Sequence, residues 1–134
     1  MTTKTRSIFY WVTTVILAYV LIGGGVMNVL RQSDSAAAMV HLGYPLYFMT
    51  IIGVWKLLGG LAVLAPGLPR LKEWAYAGAV FDLTGATISH LAAGDDVRHI
   101  VTPLVFAAVA LASWALRPAG RVLAPAGACA GGLP

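Results

Sequence analysis

The chain has 134 residues, of which 59% are hydrophobic and 10% charged, with a mean hydropathy of +0.81 and a formal net charge of +4. Soluble domains of this size carry more charge, and a soluble helical bundle shows a polar face on each helix, which the segments here lack. The composition points instead to an all-α polytopic membrane protein with no nucleic-acid footprint.

A membrane-crossing helix needs roughly 20 mainly apolar residues. The first such run, about Ile8 to Leu30, follows Lys4 and Arg6. It is longer than the apolar part of a secretory leader and closes on Gly23 to Gly25, Asn28 and Arg31, with no small-x-small cleavage site, so it reads as a retained first span. The next stretch, QSDSAAAMVHLGYP, fits either a short helix lying at the membrane surface or an irregular loop. A second span covers about Leu46 to Ala65 and contains GVWKLLGG; the connection PGLPRLKE, with two prolines, makes the second and third spans antiparallel neighbours. The third span is about Trp74 to Ala93, and the short GDD link leads to a fourth at about His99 to Leu116. The expected architecture is an antiparallel four-helix transmembrane domain over residues 1–117. Residues 118–134, rich in Pro, Gly and Ala, read as a disordered tail that holds the only cysteine, Cys129.

Charge placement orients the chain. Lys4, Arg6, Arg70, Lys72, Arg117 and Arg121 flank one side of the spans, whereas Arg31 and Arg98 share the other with Asp34, Asp95 and Asp96. The positive-inside rule therefore puts both termini in the cytoplasm of a cell with an inner membrane. Tyr10, Trp11, Trp74, Tyr76 and Trp114 are placed to form one interfacial belt, Tyr44 and Tyr47 the other.

Three residues break the apolar pattern at depth: Lys56 in the second span, Asp82 and His90 in the third. One such charge costs roughly 2.5–3.5 kcal/mol at a helix centre, and ionisable groups inside spans are functional candidates. At 1.5 Å per residue Lys56 lies about 15 Å from one end of its span and Asp82 about 12 Å from the other end of its own, so both reach mid-depth. Gly53, Gly59 and Gly60 surround Lys56 at helical spacing, as Gly78 and Gly85 surround Asp82, which puts both charges on close-packing faces. A Lys56–Asp82 ion pair follows. Above it Asn28, Ser89 and His90 line an expected pocket opening outward, with Thr84, Thr87, His99 and Thr102 as further polar residues. Tyr19 and Trp55 complete the candidate ligand-binding set. His41, His90 and His99 show no local metal-ligand spacing, and no metal site is expected. In a purely structural reading Lys56 and Asp82 fix helix register, and Thr84 and Thr87 bond to carbonyls of their own helix.

The lysine among glycines in GVWKLLGGLAVL, followed by YAGAVFDLTGATISHLAAGD, resembles the DoxX-like family of small four-helix membrane proteins over about residues 8–116. The resemblance implies a link to respiratory or redox chemistry, with quinone as the implied cofactor. It also leaves direct thiol exchange without an in-helix cysteine to carry it.

Three functions lead at the level of sequence, beside a proton-coupled transporter that four helices without an internal repeat would need to dimerise to form. The first is a membrane subunit of a quinone-linked redox system that binds a lipophilic molecule in the bundle, with Lys56, Asp82 and His90 as its chemical groups. The second is acid–base catalysis on a lipophilic metabolite: an isomerase, epoxide hydrolase or cyclase. The third is a non-catalytic assembly or scaffold protein. The expected surroundings are the lipid bilayer and a homodimer or larger membrane complex.

Overall fold

A computed structural model describes residues 2–122. These form α1 (Thr3–Val29), α2 (Ser33–His41), α3 (Leu46–Leu64), α4 (Pro69–Ala92) and α5 (Val97–Ala115), followed by a 3-10 turn, Ala119–Arg121. The helix starts carry recognisable signals. The Thr2 hydroxyl accepts from the Thr5 amide at 3.2 Å, the Gln32 side chain from Ser35 at 3.1 Å, and the Asp96 carboxylate from Val97 at 2.9 Å. Each satisfies an amide that has no partner inside the helix. α4 begins at Pro69, whose fixed φ suits a first helical position.

The long helices form an antiparallel ring. α1 packs most extensively against α3 and also against α5, α4 packs against α5, and the seam between α3 and α4 is the sparsest in the ring. Leu17, Leu21, Val63, Tyr76, Ala79 and Ala110 make the shared core. Outside it, Ile8, Phe9, Val12, Val15, Ile88 and Val105 are all at least half exposed. So much large apolar surface fits a hydrocarbon solvent and not water.

α1, α3 and α5 are long and apolar enough to cross a membrane. α4, with 24 residues, is long enough but is not among them. Asp82, Thr84, Thr87, Ser89 and His90 dilute its hydropathy. The four expected spans all coincide with helices, but three carry the apolar signature. Of the two conformations open for residues 32–45, the helix forms at Ser33–His41.

Close helix approach occurs on the glycine-flanked face of α3 and not on that of α4. A Cβ on Gly53 would meet the Gly25 carbonyl oxygen at 2.9 Å and Val29 Cγ2 at 2.8 Å, and one on Gly25 would meet Gly53 O at 2.9 Å. These glycines bring α1 onto α3. Gly78 and Gly85 face open space, with nothing within 4 Å of where a Cβ would stand. The glycine-flanked face of α4 is therefore not a tight contact with α3.

Two aromatic residues expected in the interfacial belt turn inward: Tyr10 and Tyr76 are buried. Tyr76 Oη and Thr14 Oγ1 each lie 2.7 Å from Ser113 Oγ, joining α4, α1 and α5 through one hydroxyl. The tail expectation also changes at its start. Arg121 Nη1 donates to Tyr10 Oη at 3.2 Å and to the carbonyls of Val63 and Leu64 at 3.3 Å, so residues 119–121 dock on the ends of α1 and α3. Cys129 and the rest of the expected tail lie outside the described residues.

Candidate functional site

The site starts from two helices that run in opposite directions past one another. Lys56 lies ten positions into α3 and Asp82 mid-way along α4, and Lys56 Nζ reaches Asp82 Oδ2 at 3.5 Å. Side-chain exposure is 23% for Lys56 and 19% for Asp82, enough to leave each a face for a ligand atom. Gly24 of α1 lies behind the lysine: a Cβ there would stand 3.8 Å from Nζ, so the backbone of α1 forms the back wall.

From this pair a groove of about 800 Å³ runs along the α3–α4 seam toward the α3–α4 connection. Trp55, Leu58, Ala62, Leu71, Trp74 and Phe81 supply most of its walls, and Gly78 leaves room on the α4 side. Lys56 and Asp82 are its only charged lining residues among those described. A volume of this size suits a small molecule, and the apolar walls with one convergent polar end suit an amphipathic one.

The other end of the groove is held by a residue for which sequence reasoning assigns only a topological role. Lys72, in the first turn of α4, is fully buried. Its ammonium donates to Ala62 O at 2.5 Å and Val63 O at 3.2 Å, and also to Ala65 O. Those carbonyls lie in the last turn of α3 or just past it, where intrahelical donors run out and a cation is favoured. Next to it Glu73 accepts from Arg117 Nη2 at 2.7 Å and from Trp114 Nε1 at 2.9 Å. A lysine three residues after the second proline of the connection, at the position where the chain folds back on the helix it has just left, is the signal that would have found Lys72.

The remaining sequence candidates separate. His90 does not join Lys56 and Asp82; its Nδ1 lies 2.7 Å from Asp95 Oδ2, at the far end of α4. His41 Nε2 takes the other oxygen of Asp95 at 2.6 Å. Ser89 pairs with Tyr44 Oη at 2.7 Å and donates to Gly85 O at 2.9 Å. Thr84 and Thr87 donate to the carbonyls of Val80 and Leu83 on their own helix. Asn28 is buried in α1, and Tyr19 is 79% exposed on the lipid-facing side; neither lines the groove. Trp55 does. The expected pocket lies between the ion pair and His90, whereas the cavity opens on the opposite side of the pair. Small residues, among them Gly59, Ala75, Gly78 and Ala79, open the seam on that side.

The Asp95 carboxyl is held below the usual carboxylate range, first by its hydrogen bond from His90 and then by that from His41. No cluster of His, Cys, Asp and Glu among the described residues is arranged to hold a metal ion.

A family model described as the DoxX-like family matches residues 12–113, most of the chain and all of the groove. No curated protein and no solved structure matches it.

Proposed function

The chain belongs to the DoxX-like family, and on that premise we propose that it is an inner-membrane protein whose α3–α4 groove holds a lipid-soluble molecule, a quinone foremost, as the membrane subunit of a redox system. The observation that carries this reading is the apolar groove of about 800 Å³ ending on the Lys56–Asp82 pair. A ligand enters sideways from the bilayer and lays its apolar part against Trp55, Trp74 and Phe81. Its polar end then meets an ammonium donor and a carboxylate acceptor at mid-depth. Because the two charges already offset one another, that end is best matched by a neutral oxygen-bearing group, not by an ion.

A bound quinone supplies the electron-accepting chemistry; the residues of the chain bind it and handle protons. Lys56 Nζ donates a hydrogen bond to a ligand oxygen, and Asp82 takes up or releases the proton that accompanies a change at that oxygen. All four long helices span the membrane in this reading, with α2 at the surface. The six-to-two split of basic residues puts both termini in the cytoplasm.

The test is equilibrium binding of a short-chain benzoquinone to the purified protein in lipid nanodiscs. Lys56→Ala and Asp82→Asn are each expected to weaken binding by about tenfold, the effect of losing one strong polar contact. Unchanged affinity in both variants overturns the site assignment. Turnover of a lipophilic substrate without electron transfer, lost in Asp82→Asn, would instead move the function to acid–base catalysis.

A further inference from the structure

α2 has no buried residue, and Val40 near its end is 62% exposed. Met39 is its one large apolar side chain that is half-buried, so the place of this helix depends heavily on polar ties. Two of them cross to the α4–α5 end: His41 Nε2 to Asp95 Oδ1 at 2.6 Å, and Tyr44 Oη to Ser89 Oγ at 2.7 Å. A third, Arg31 Nη2 to Thr50 Oγ1 at 3.5 Å, only ties the preceding turn to α3. Asp95 is the hub, because its second oxygen holds His90 Nδ1 at 2.7 Å. One carboxylate thus joins α2, α4 and the α4–α5 connection.

We propose that His41, Asp95 and His90 form a proton-responsive latch that fastens α2 across the end of the bundle and tightens as that side of the membrane acidifies from about pH 8 to about pH 6. The chemistry is that of two imidazoles on one carboxylate. A neutral imidazole donates one ordinary hydrogen bond; a protonated one makes a charge-assisted bond roughly twice as strong. Across this range Asp95 stays ionised, because His90 and His41 hold its carboxyl below the usual range.

The surrounding charges leave the latch free to respond. Arg98 pairs with Asp96 at 3.2 Å, not with Asp95. Tyr44 and Ser89 satisfy one another. His99, on α5, has its ring 5.5 Å from that of His90. At much lower pH the sign reverses. A carboxyl whose folded value is depressed contributes stability above its unfolded value near 4, and that contribution is lost as pH falls through the folded value.

The test is hydrogen–deuterium exchange of the α2 amides, residues 33–41, in nanodiscs, corrected for the intrinsic pH dependence of exchange. Protection in the wild-type chain is expected to rise by about threefold or more between pH 8 and pH 6, as local opening becomes rarer. The rise is expected to vanish in Asp95→Asn and in His41→Gln. His41 is exposed, so the second variant keeps the fold, and protection of α1 and α3 amides reports on that directly. Flat or falling α2 protection in the wild-type chain, or a rise that survives in either variant, overturns the latch.

Discussion

Lys56 and Asp82 are expected to meet because depth in a helix follows from residue counting alone, and that inference depends on little besides 1.5 Å per residue. Their 3.5 Å approach agrees with it. The partner of His90 is not legible in the same way. Asp95 sits in a short connection, and the direction of a loop carboxylate depends on turn geometry that spacing does not encode. Lys72 misleads for a different reason: beside Arg70 it reads as one more interfacial cation, yet the chain turns so sharply that its ammonium lands on the end of α3. The Lys56–Asp82 pair predicts a coupled loss. Lys56→Met leaves a half-shielded carboxylate without its cation and is expected to cost about 1–2 kcal/mol of stability, less than a fully buried pair because both side chains keep some exposure. Lys56→Met combined with Asp82→Asn is expected to recover most of that loss. Unfolding in detergent micelles measures both, and additive losses would show that the two residues do not interact.

Between elements, the glycines carry the clearest distinction. All five around Lys56 and Asp82 look alike in sequence, since spacing reveals which residues share a face but not which helix lies opposite. Gly53 faces the backbone of α1, and Gly78 faces the groove. Gly53→Ala is therefore expected to destabilise by about 1–3 kcal/mol, because the nearest atoms include a backbone carbonyl that cannot move aside cheaply. Gly78→Ala, whose Cβ meets nothing, is expected to stabilise by about 0.5–1 kcal/mol through helix propensity. Thermal unfolding of the two variants side by side checks the assignment of both faces. Lys72→Met tests the inner tie between α4 and α3. It strips three carbonyls of a buried donor and is expected to cost about 2–3 kcal/mol, read as a lower unfolding midpoint.

For the bundle as a unit, hydropathy makes the long helices and their antiparallel order legible, since the run lengths and the short connections leave few other arrangements. The groove is not legible. It exists because the ring is closed unevenly: α1 holds α3, and α5 holds α4, while the α3–α4 seam is bridged by Lys72 at one end and by Lys56–Asp82 in the middle. Polar bridges leave apolar space between them, and only the assembled ring shows where that space opens. Whether a ligand occupies this space is decided by filling it. Gly78→Leu puts a side chain into the groove where no protein atom stands in the way of its Cβ. The measurement is benzoquinone affinity in nanodiscs, with helical content and unfolding midpoint recorded on the same sample. A binding groove predicts a stably folded protein whose affinity falls by about tenfold or more; a folded Gly78→Leu protein that binds as tightly as the wild type would contradict it.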